Sequence, residues 1–406
     1  MIFGDPIVLQ VNGSQYSGLK SGKVTCSMET MCGEFDVEVS KPIGNDFPIK
    51  KGDNCVILIY GTPVITGFVD KLATHIESNS HTINIHGRDA TCDLVDNTMP
   101  PKISFSAPTT LQSITQKVLD VFGITGMDIV IGDNVQNLEP FAANEMVASE
   151  IGETAFDFLE KYAKKKQVIL NTDGLGNVLY TQASDLIVDD YININTDLQK
   201  GTVISVDMTL DDEKRFNKYT LVSQTNSAGG AGLVDSYDQQ YSVAPAPSVE
   251  TFTTAVATDD EIRTTRQHTF HGDSSIQDQA TRQNRVNWEM NIRKANGFEY
   301  SLVVQGFYDA NNNVWRPNMQ INVTDNMNDV AADLLILSTT FELSVDGGTK
   351  TTLKLTTPDA FKVLTDPKTK KDKKAKKKGD EYLVDNFNED PNASSDEGGT
   401  EDTGDY

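Results

Sequence analysis

Three histidines, His75, His81 and His86, crowd into a stretch that reads as a single hairpin, and such a cluster invites a metal ion. His81 and His86 are five positions apart, however, so on a strand their side chains leave opposite faces. No cysteine or carboxylate spacing completes a zinc set around them. His268 and His271 stand three apart in a polar stretch with no third ligand nearby. Asp309-Ala310-Asn311-Asn312-Asn313 imitates the start of a calcium loop, but its sixth position is Val314 where Gly is needed and its twelfth is Gln320 where Glu is needed. It reads instead as a hairpin turn before Trp315. Asp173-Gly174 is a turn of the same kind, without the downstream Glu. Gly229-Gly230-Ala231-Gly232 lacks the Gly-Lys-Ser/Thr of a phosphate loop, and neither G-x-S-x-G nor H-E-x-x-H occurs. Acid pairs such as Asp211-Asp212 carry little information in a chain this acidic. These residue types predict no catalytic constellation, no cofactor and no metal.

The four cysteines, Cys26, Cys32, Cys55 and Cys92, form no C-x-x-C and predict free thiols in a reducing cytoplasm. The N-terminal Met1-Ile2-Phe3-Gly4-Asp5-Pro6 has no signal-peptide character, and no apolar run approaches the roughly 20 residues that span a bilayer, so no stable membrane insertion is expected. A formal charge of −24 repels phosphate backbones and argues against a sequence-reading nucleic-acid binder. That charge is unevenly placed. Asp366 to Lys378 carries eight Lys and two Asp, and Gly379 to Tyr406 carries ten acidic residues and no basic one, which leaves −20 on residues 1–365.

The elements that would position these residues are mostly strands. Ile7 to Val11 runs into Asn12-Gly13, a strong hairpin signal. Phe35, Val37 and Val39 alternate with acidic residues, and Cys55 to Tyr60 is nearly all apolar before a turn at Gly61-Thr62-Pro63. Residues 1–98 therefore read as a first small β-barrel. Residues 99–199 read as a small α/β domain. One helix carries Leu111, Ile114, Val118 and Phe122, with Thr109 or Thr110 as N-cap, and a second runs from about Glu153 to Lys165. Residues 200–225 with 298–365 read as a second barrel, interrupted by a loop-and-helix insertion over 226–297. In that insertion Val286, Trp288, Met290 and Ile292 fall at strand period, while length and composition favour helix over Ser275 to Ala295. Thr82-Ile83-Asn84-Ile85 before Asp89-Ala90 matches Thr352-Leu353-Lys354-Leu355 before Asp359-Ala360 at identical spacing, as a duplicated barrel would. The fold class is thus α+β and β-rich.

Residues 366–406 have the composition of a low-complexity tail, disordered in isolation. Its one apolar cluster, Tyr382, Leu383, Val384 and Phe387, is the candidate partner-binding site: charge would attract an oppositely charged surface, and these four would set the register.

Motifs spread along the chain resemble a known family. They include Gly52-Asp53, Gly61 to Asp70 (GTPVITGFVD), Gly87 to Asp96 (GRDATCDLVD), Glu153 to Leu159 (ETAFDFL), Arg215 to Thr220 (RFNKYT), Trp315-Arg316-Pro317-Asn318, and the closing hairpin from Asp346-Gly347-Gly348 to Phe361. In order and spacing they resemble the baseplate hub proteins of Mu-like contractile-tailed phages, the tail protein P type, which are related to the late-control D proteins. The resemblance implies a structural protein of the virion tail, assembled in the host cytoplasm and not an enzyme. It implies a homotrimer whose two barrels per subunit make a pseudo-sixfold ring. The ring would meet the hexameric tail tube on one side, the trimeric central spike on the other and further baseplate proteins around it, with DNA passing through its lumen. An acidic wall suits such a conduit, since it does not retain a polyanion. The charged tail falls outside the shared pattern. A hub of a non-viral contractile injection device shares the same physics. A carbohydrate-binding or hydrolytic β protein gains little support from two Trp and 8% aromatics.

Overall fold

Alternation of buried and exposed side chains builds the first seven strands of the computed structural model, which describes residues 5–358 apart from 41–46, 79–80, 226–250, 272–278, position 167 and scattered positions in 102–108 and 136–146. They are β1 (Ile7–Val11), β2 (Ser14–Tyr16), β3 (Ser21–Ser27), β4 (Glu34–Ser40), β5 (Asn54–Ile59), β6 (Thr62–Ile76) and β7 (His81–Asp89). Asn12 and Gly13 both take positive φ, 49° and 81°, the two-residue turn whose twist matches that of the strands it joins. Tyr60 and Gly61 do the same, at 47° and 85°, so this second turn lies one residue earlier than the sequence suggests and Thr62-Pro63 already belongs to β6.

A helical module follows: α1 (Cys92–Asp96), α2 (Leu111–Phe122), β8 (Ile129–Ile131), α3 (Ala155–Lys165), β9 (Ile169–Thr172) and β10 (Val178–Thr181). Thr110 caps α2 by accepting from the Ser113 amide, and Ser113 reciprocates; Thr154 caps α3 by accepting from the Asp157 amide. Both helices bury one face on a core that includes Leu111, Ile114, Val118, Phe158, Leu159 and Tyr162, over the sheet β8-β10-β9.

The rest of the chain comprises β11 (Ile187–Asn193), α4 (Ile194–Lys200), β12 (Val203–Leu210), β13 (Lys218–Thr225), β14 (Thr251–Thr258), β15 (Gln267–His271), α5 (Gln279–Asn296), β16 (Phe298–Gln305), β17 (Gln320–Asp325), β18 (Val330–Ser344) and β19 (Gly348–Thr356). Two strands sit elsewhere than expected. β11 leaves the α/β module to pair with β17, and β13 forms a separate sheet with β14 and β15, while only β12 of residues 200–225 pairs with β16. The strand-or-helix question over Val286 to Ile292 is settled as helix α5, which buries Val286 and Trp288.

Among the described residues the two β regions do not close into barrels. They share one 13-stranded sheet, whose main path β12-β16-β19-β18-β3-β4-β7-β6-β5-β1-β2 carries β17 as a branch on β18 and β11 on β17. The reason is that β3 spends its outer edge on β18, seven residue pairs from Ser338↔Ser27 to Ser344↔Ser21, and not on its own β1 or β2. A single apolar cluster runs under the whole path, from Ile7 and Phe35 to Tyr300 and Leu355. The protein is α+β and β-rich.

Candidate functional site

The residues singled out for chemistry are engaged locally. His75 Nε2 lies 3.0 Å from Glu77, and His86 Nδ1 lies 3.1 Å from Asp36 across β4 and β7. His81 stands opposite Ile76. His268 stacks between Phe216 (5.0 Å) and Phe270 (5.5 Å), where burial, with Arg293 alongside, lowers its pKa. Among the described residues no group of three or more His, Cys, Asp or Glu is placed to hold a metal. Asp309 Oδ1 accepts from the amides of Asn311 (2.9 Å) and Asn313 (2.7 Å), so the carboxylate is occupied by its own turn. Asp173 Oδ1 is occupied likewise by the amides of Leu175 and Asn177. Burial pushes the thiols of Cys26 and Cys55 up to about 12.

The family motifs meet in space at the end of β7. Arg88 reaches from β7 to Asp70 of β6 and, at 2.7 Å, to Asp96 of α1. Asp89 is fully buried, and its Oδ1 accepts from the Thr91 amide (3.0 Å), the Thr91 hydroxyl (2.7 Å) and the Thr172 hydroxyl of β9 (3.0 Å). It thereby ties the first β region to the α/β module. A cleft of about 490 Å³, which includes Asp89, Thr172, Trp315 and Arg316 in its lining, opens at this junction.

The most informative geometry is a repeat. The order β3-β4-β7-β6-β5-β1 is the order β12-β16-β19-β18-β17-β11, element for element. Gly52 and Asn318 both take positive φ, 85° and 65°. Gly52 N–H donates to Val69 O (2.8 Å) and Val69 N–H to Asp53 O (3.0 Å). Asn318 N–H donates to Ile336 O (2.9 Å) and Ile336 N–H to Met319 O (2.8 Å). The residue after each of these partners is a bulge, between Val69 and Lys71 in β6 and between Ile336 and Ser338 in β18. Aligned on the bulges, buried Phe35 superposes on buried Tyr300 and Gly87 on Leu355. The Thr-apolar-polar-apolar match seen in the sequence is therefore two residues out of structural register, and Asp359-Ala360 lies outside the described residues. The copies differ at one edge: β1 is antiparallel to β5 and carries β2, whereas β11 is parallel to β17 and pairs with no further strand among the described residues.

Three domain matches follow one another along the chain: the N-terminal domain of the Mu phage baseplate assembly protein GpP-like family on residues 6–89, the second domain of the baseplate hub protein gp44-like family on 91–182, and the fourth domain of Mu phage baseplate assembly protein GpP on 278–364. The chain belongs to the Mu-type baseplate hub family. The first match spans one copy of the repeated β unit, and the last spans β16 to β19 of the other. This hub protein is 23% identical over 376 residues to the baseplate hub protein gp44 of Escherichia phage Mu, covering 92% of each chain. Its structure is similar to the 43 kDa tail protein of prophage MuSo2 from Shewanella oneidensis, with 25% identity, a TM-score of 0.71 and coverage of 88% of this chain and 99% of that one. The tail protein from Neisseria meningitidis MC58 shares the fold at 17% identity and a TM-score of 0.69, covering 89% and 98%. The fold also resembles an Escherichia coli type VI secretion component, itself described as similar to the T4 tail proteins gp27 and gp5, at 11% identity and a TM-score of 0.51, over 89% and 78%. As a hub protein of a Mu-like tail, the chain is a component of the phage baseplate. No described helix is long and apolar enough to cross a membrane.

Sequence reasoning missed two features that matter here. One is the β3–β18 seam, which joins residues more than 300 positions apart and leaves no local pattern. The other is Arg215, flagged only as part of a motif. It gathers Asp212 (2.9 Å), buried Asp259 (2.8 Å) and Glu261 (2.6 Å), and so fastens the β13-β14-β15 sheet.

Proposed function

We propose that three copies of this hub protein form a closed ring at the end of the tail tube, and that the ring joins a sixfold tube to a threefold spike. The observation that supports this reading is the repeated β unit: three chains carry six copies, which gives one face near-sixfold symmetry while the rest of the chain keeps threefold symmetry. The role is structural rather than catalytic. The formal charge of −20 on residues 1–365 suits a lumen through which DNA slides without adhering. The tail of residues 366–406 is proposed as a docking arm toward another baseplate protein, with Tyr382, Leu383, Val384 and Phe387 as its anchor. Those four residues lie outside the described part of the structure.

Symmetry-resolved imaging of the assembled particle tests the reading directly. Three copies in one ring between tube and spike are expected. Six copies, or a position at the baseplate periphery, would overturn it.

A further inference from the structure

We infer that the outer edge of β15 docks an extended, acidic segment of another protein, which adds to the β14-β13-β15 sheet as a fourth strand. This edge lies outside the repeated β unit and does not depend on how copies of the chain are arranged.

The two edges of the sheet differ. The Arg266 carbonyl accepts from the amides of Asn217 (3.0 Å) and Lys218 (3.3 Å). The parallel ladder therefore turns the main-chain groups of His268 and Phe270 toward β13 and those of Gln267, Thr269 and His271 outward. β15 pairs with β13 alone, and no other described strand lies on its outer side. At the opposite edge the outward carbonyls of β14 are taken. Gln279 Nε2 of α5 donates to Thr254 O (3.4 Å) and Gln283 Nε2 to Val256 O (2.9 Å). Covering an edge in this way blocks strand addition, and a bare edge invites it.

Charge says which segment fits. His268 and Phe270 lie opposite Tyr219 and Leu221, on the side of the sheet that packs against Val286 of α5. Along this margin aromatic rings alternate with cations. Phe216 stacks on His268 and His268 on Phe270. Arg266 and Arg293 lie 5.2 and 5.4 Å from the Phe216 centroid, and Arg285 lies 5.9 Å from that of Phe270. One carboxylate, Glu289, pairs with both Arg285 (3.5 Å) and Arg293 (2.7 Å), while Arg266 donates to a main-chain carbonyl, that of Glu213. Residues 211–225, 251–271 and 279–296 carry nine Arg and Lys against seven Asp and Glu, in a chain of formal charge −24. A strand laid beside β15 points every second side chain to the side of His268 and Phe270. Carboxylates at two such positions meet the guanidinium groups, whereas lysines there meet like charge. The segment therefore reads acid-x-acid, with a β-branched residue between to lie beside Thr269.

The full-length protein tests this against a fluorescein-labelled peptide, acetyl-Thr-Glu-Val-Glu-Val-Glu-Thr-amide, and its counterpart with Lys for Glu, read by anisotropy. The Glu peptide is expected to bind, more weakly as salt rises, and the Lys peptide not to bind. Thr269→Pro is the decisive variant. The Thr269 N–H points away from β13, so proline there costs the sheet no hydrogen bond, yet it removes a donor from the edge and blocks the added strand. Affinity should fall at least ~10-fold with an unchanged circular-dichroism spectrum. In the unsubstituted protein the bound peptide should slow hydrogen exchange across β15, a readout that needs no variant to fold. Arg285→Gln and Arg293→Gln should each weaken binding as well. Failure of the Glu peptide to bind, or exchange in β15 that it leaves unchanged, would overturn the proposal. Binding that Thr269→Pro leaves intact would reduce the contact to charge attraction without strand addition, and so would sink it too. Tighter binding by the chain lacking residues 366–406 would assign the edge to the chain's own acidic segment and remove the foreign occupant.

Discussion

Asp89 holds three donors on Oδ1 while its buried Oδ2 has no hydrogen-bond partner among the described residues. Burial dominates, and it pushes the carboxyl up to about 6, against the opposing hydrogen bonds from Thr91 and Thr172. The folded protein therefore binds this proton more tightly than the unfolded chain does, so stability falls as pH rises from about 4 to about 6. A shift of that size corresponds to about 3 kcal/mol at most. Asp89→Asn should flatten this part of the stability curve, and urea midpoints at pH 4, 5, 6 and 7 would show it. An unchanged slope would mean that Asp89 is not the titrating group. Gly87 is a second sensitive point. A Cβ there would sit 2.5 Å from the Phe35 ring and nearer still to the Phe68 carbonyl, so Gly87→Ala should cost at least about 1–3 kcal/mol in the same assay. At this scale the sequence was legible where one residue dictates its own turn, as Asn12-Gly13, Asp173 and Asp309 do. It was opaque where a role depends on a distant partner: nothing local to Asp89 announces Thr172.

Among the elements, α5 is the helix that length and composition favoured, although period alone points to a strand. Val286, Trp288, Met290 and Ile292 alternate as on a strand, yet Arg285–Glu289 and Glu289–Arg293 pair at helical spacing and Gln283 bonds Asn287. Arg285 also stacks 3.7 Å over Trp288. Helix-spaced polar pairs carried the better signal. The repeat was similarly half visible. Its counterparts conserve geometry more than identity, with Asn318 standing where Gly52 stands and Tyr300 where Phe35 stands, and so a short sequence match landed two residues off. The β13-β14-β15 sheet depends on Arg215. Arg215→Ala would leave the carboxylate of Asp259 buried without its cation, a change that typically costs about 3–5 kcal/mol. Hydrogen exchange should quicken in β13–β15 and stay slow in β3, β4 and β7. Loss of protection everywhere would show that this sheet is not a separate unit. Thr154→Ala should cost about 1 kcal/mol by removing the cap of α3.

For the whole molecule, a chain carrying −24 must bury enough apolar surface on assembly to offset self-repulsion, and stable interfaces generally bury at least about 1,000 Å². Raising the salt concentration screens that repulsion. Because apolar burial is what must offset that repulsion, the proposed trimer should persist in high salt, which sedimentation can follow. Dissociation by salt alone would assign the contact to charge. Deleting residues 366–406 should leave folding and trimerisation intact and weaken attachment to a further baseplate component; normal incorporation of the shortened protein into infectious particles would make the tail dispensable. The seam between β3 and β18 also bears on biosynthesis. β3 is made early and its partner follows about 300 residues later. At about 5–20 residues per second, β3 waits roughly 15–60 s on the ribosome before Ser338 to Ser344 exist. During that interval its outer edge is open to the wrong chain. Crowded polysomes translating this message are therefore the setting in which mispaired, unclosed oligomers would first arise, and spacing ribosomes further apart should raise the yield of correctly closed rings.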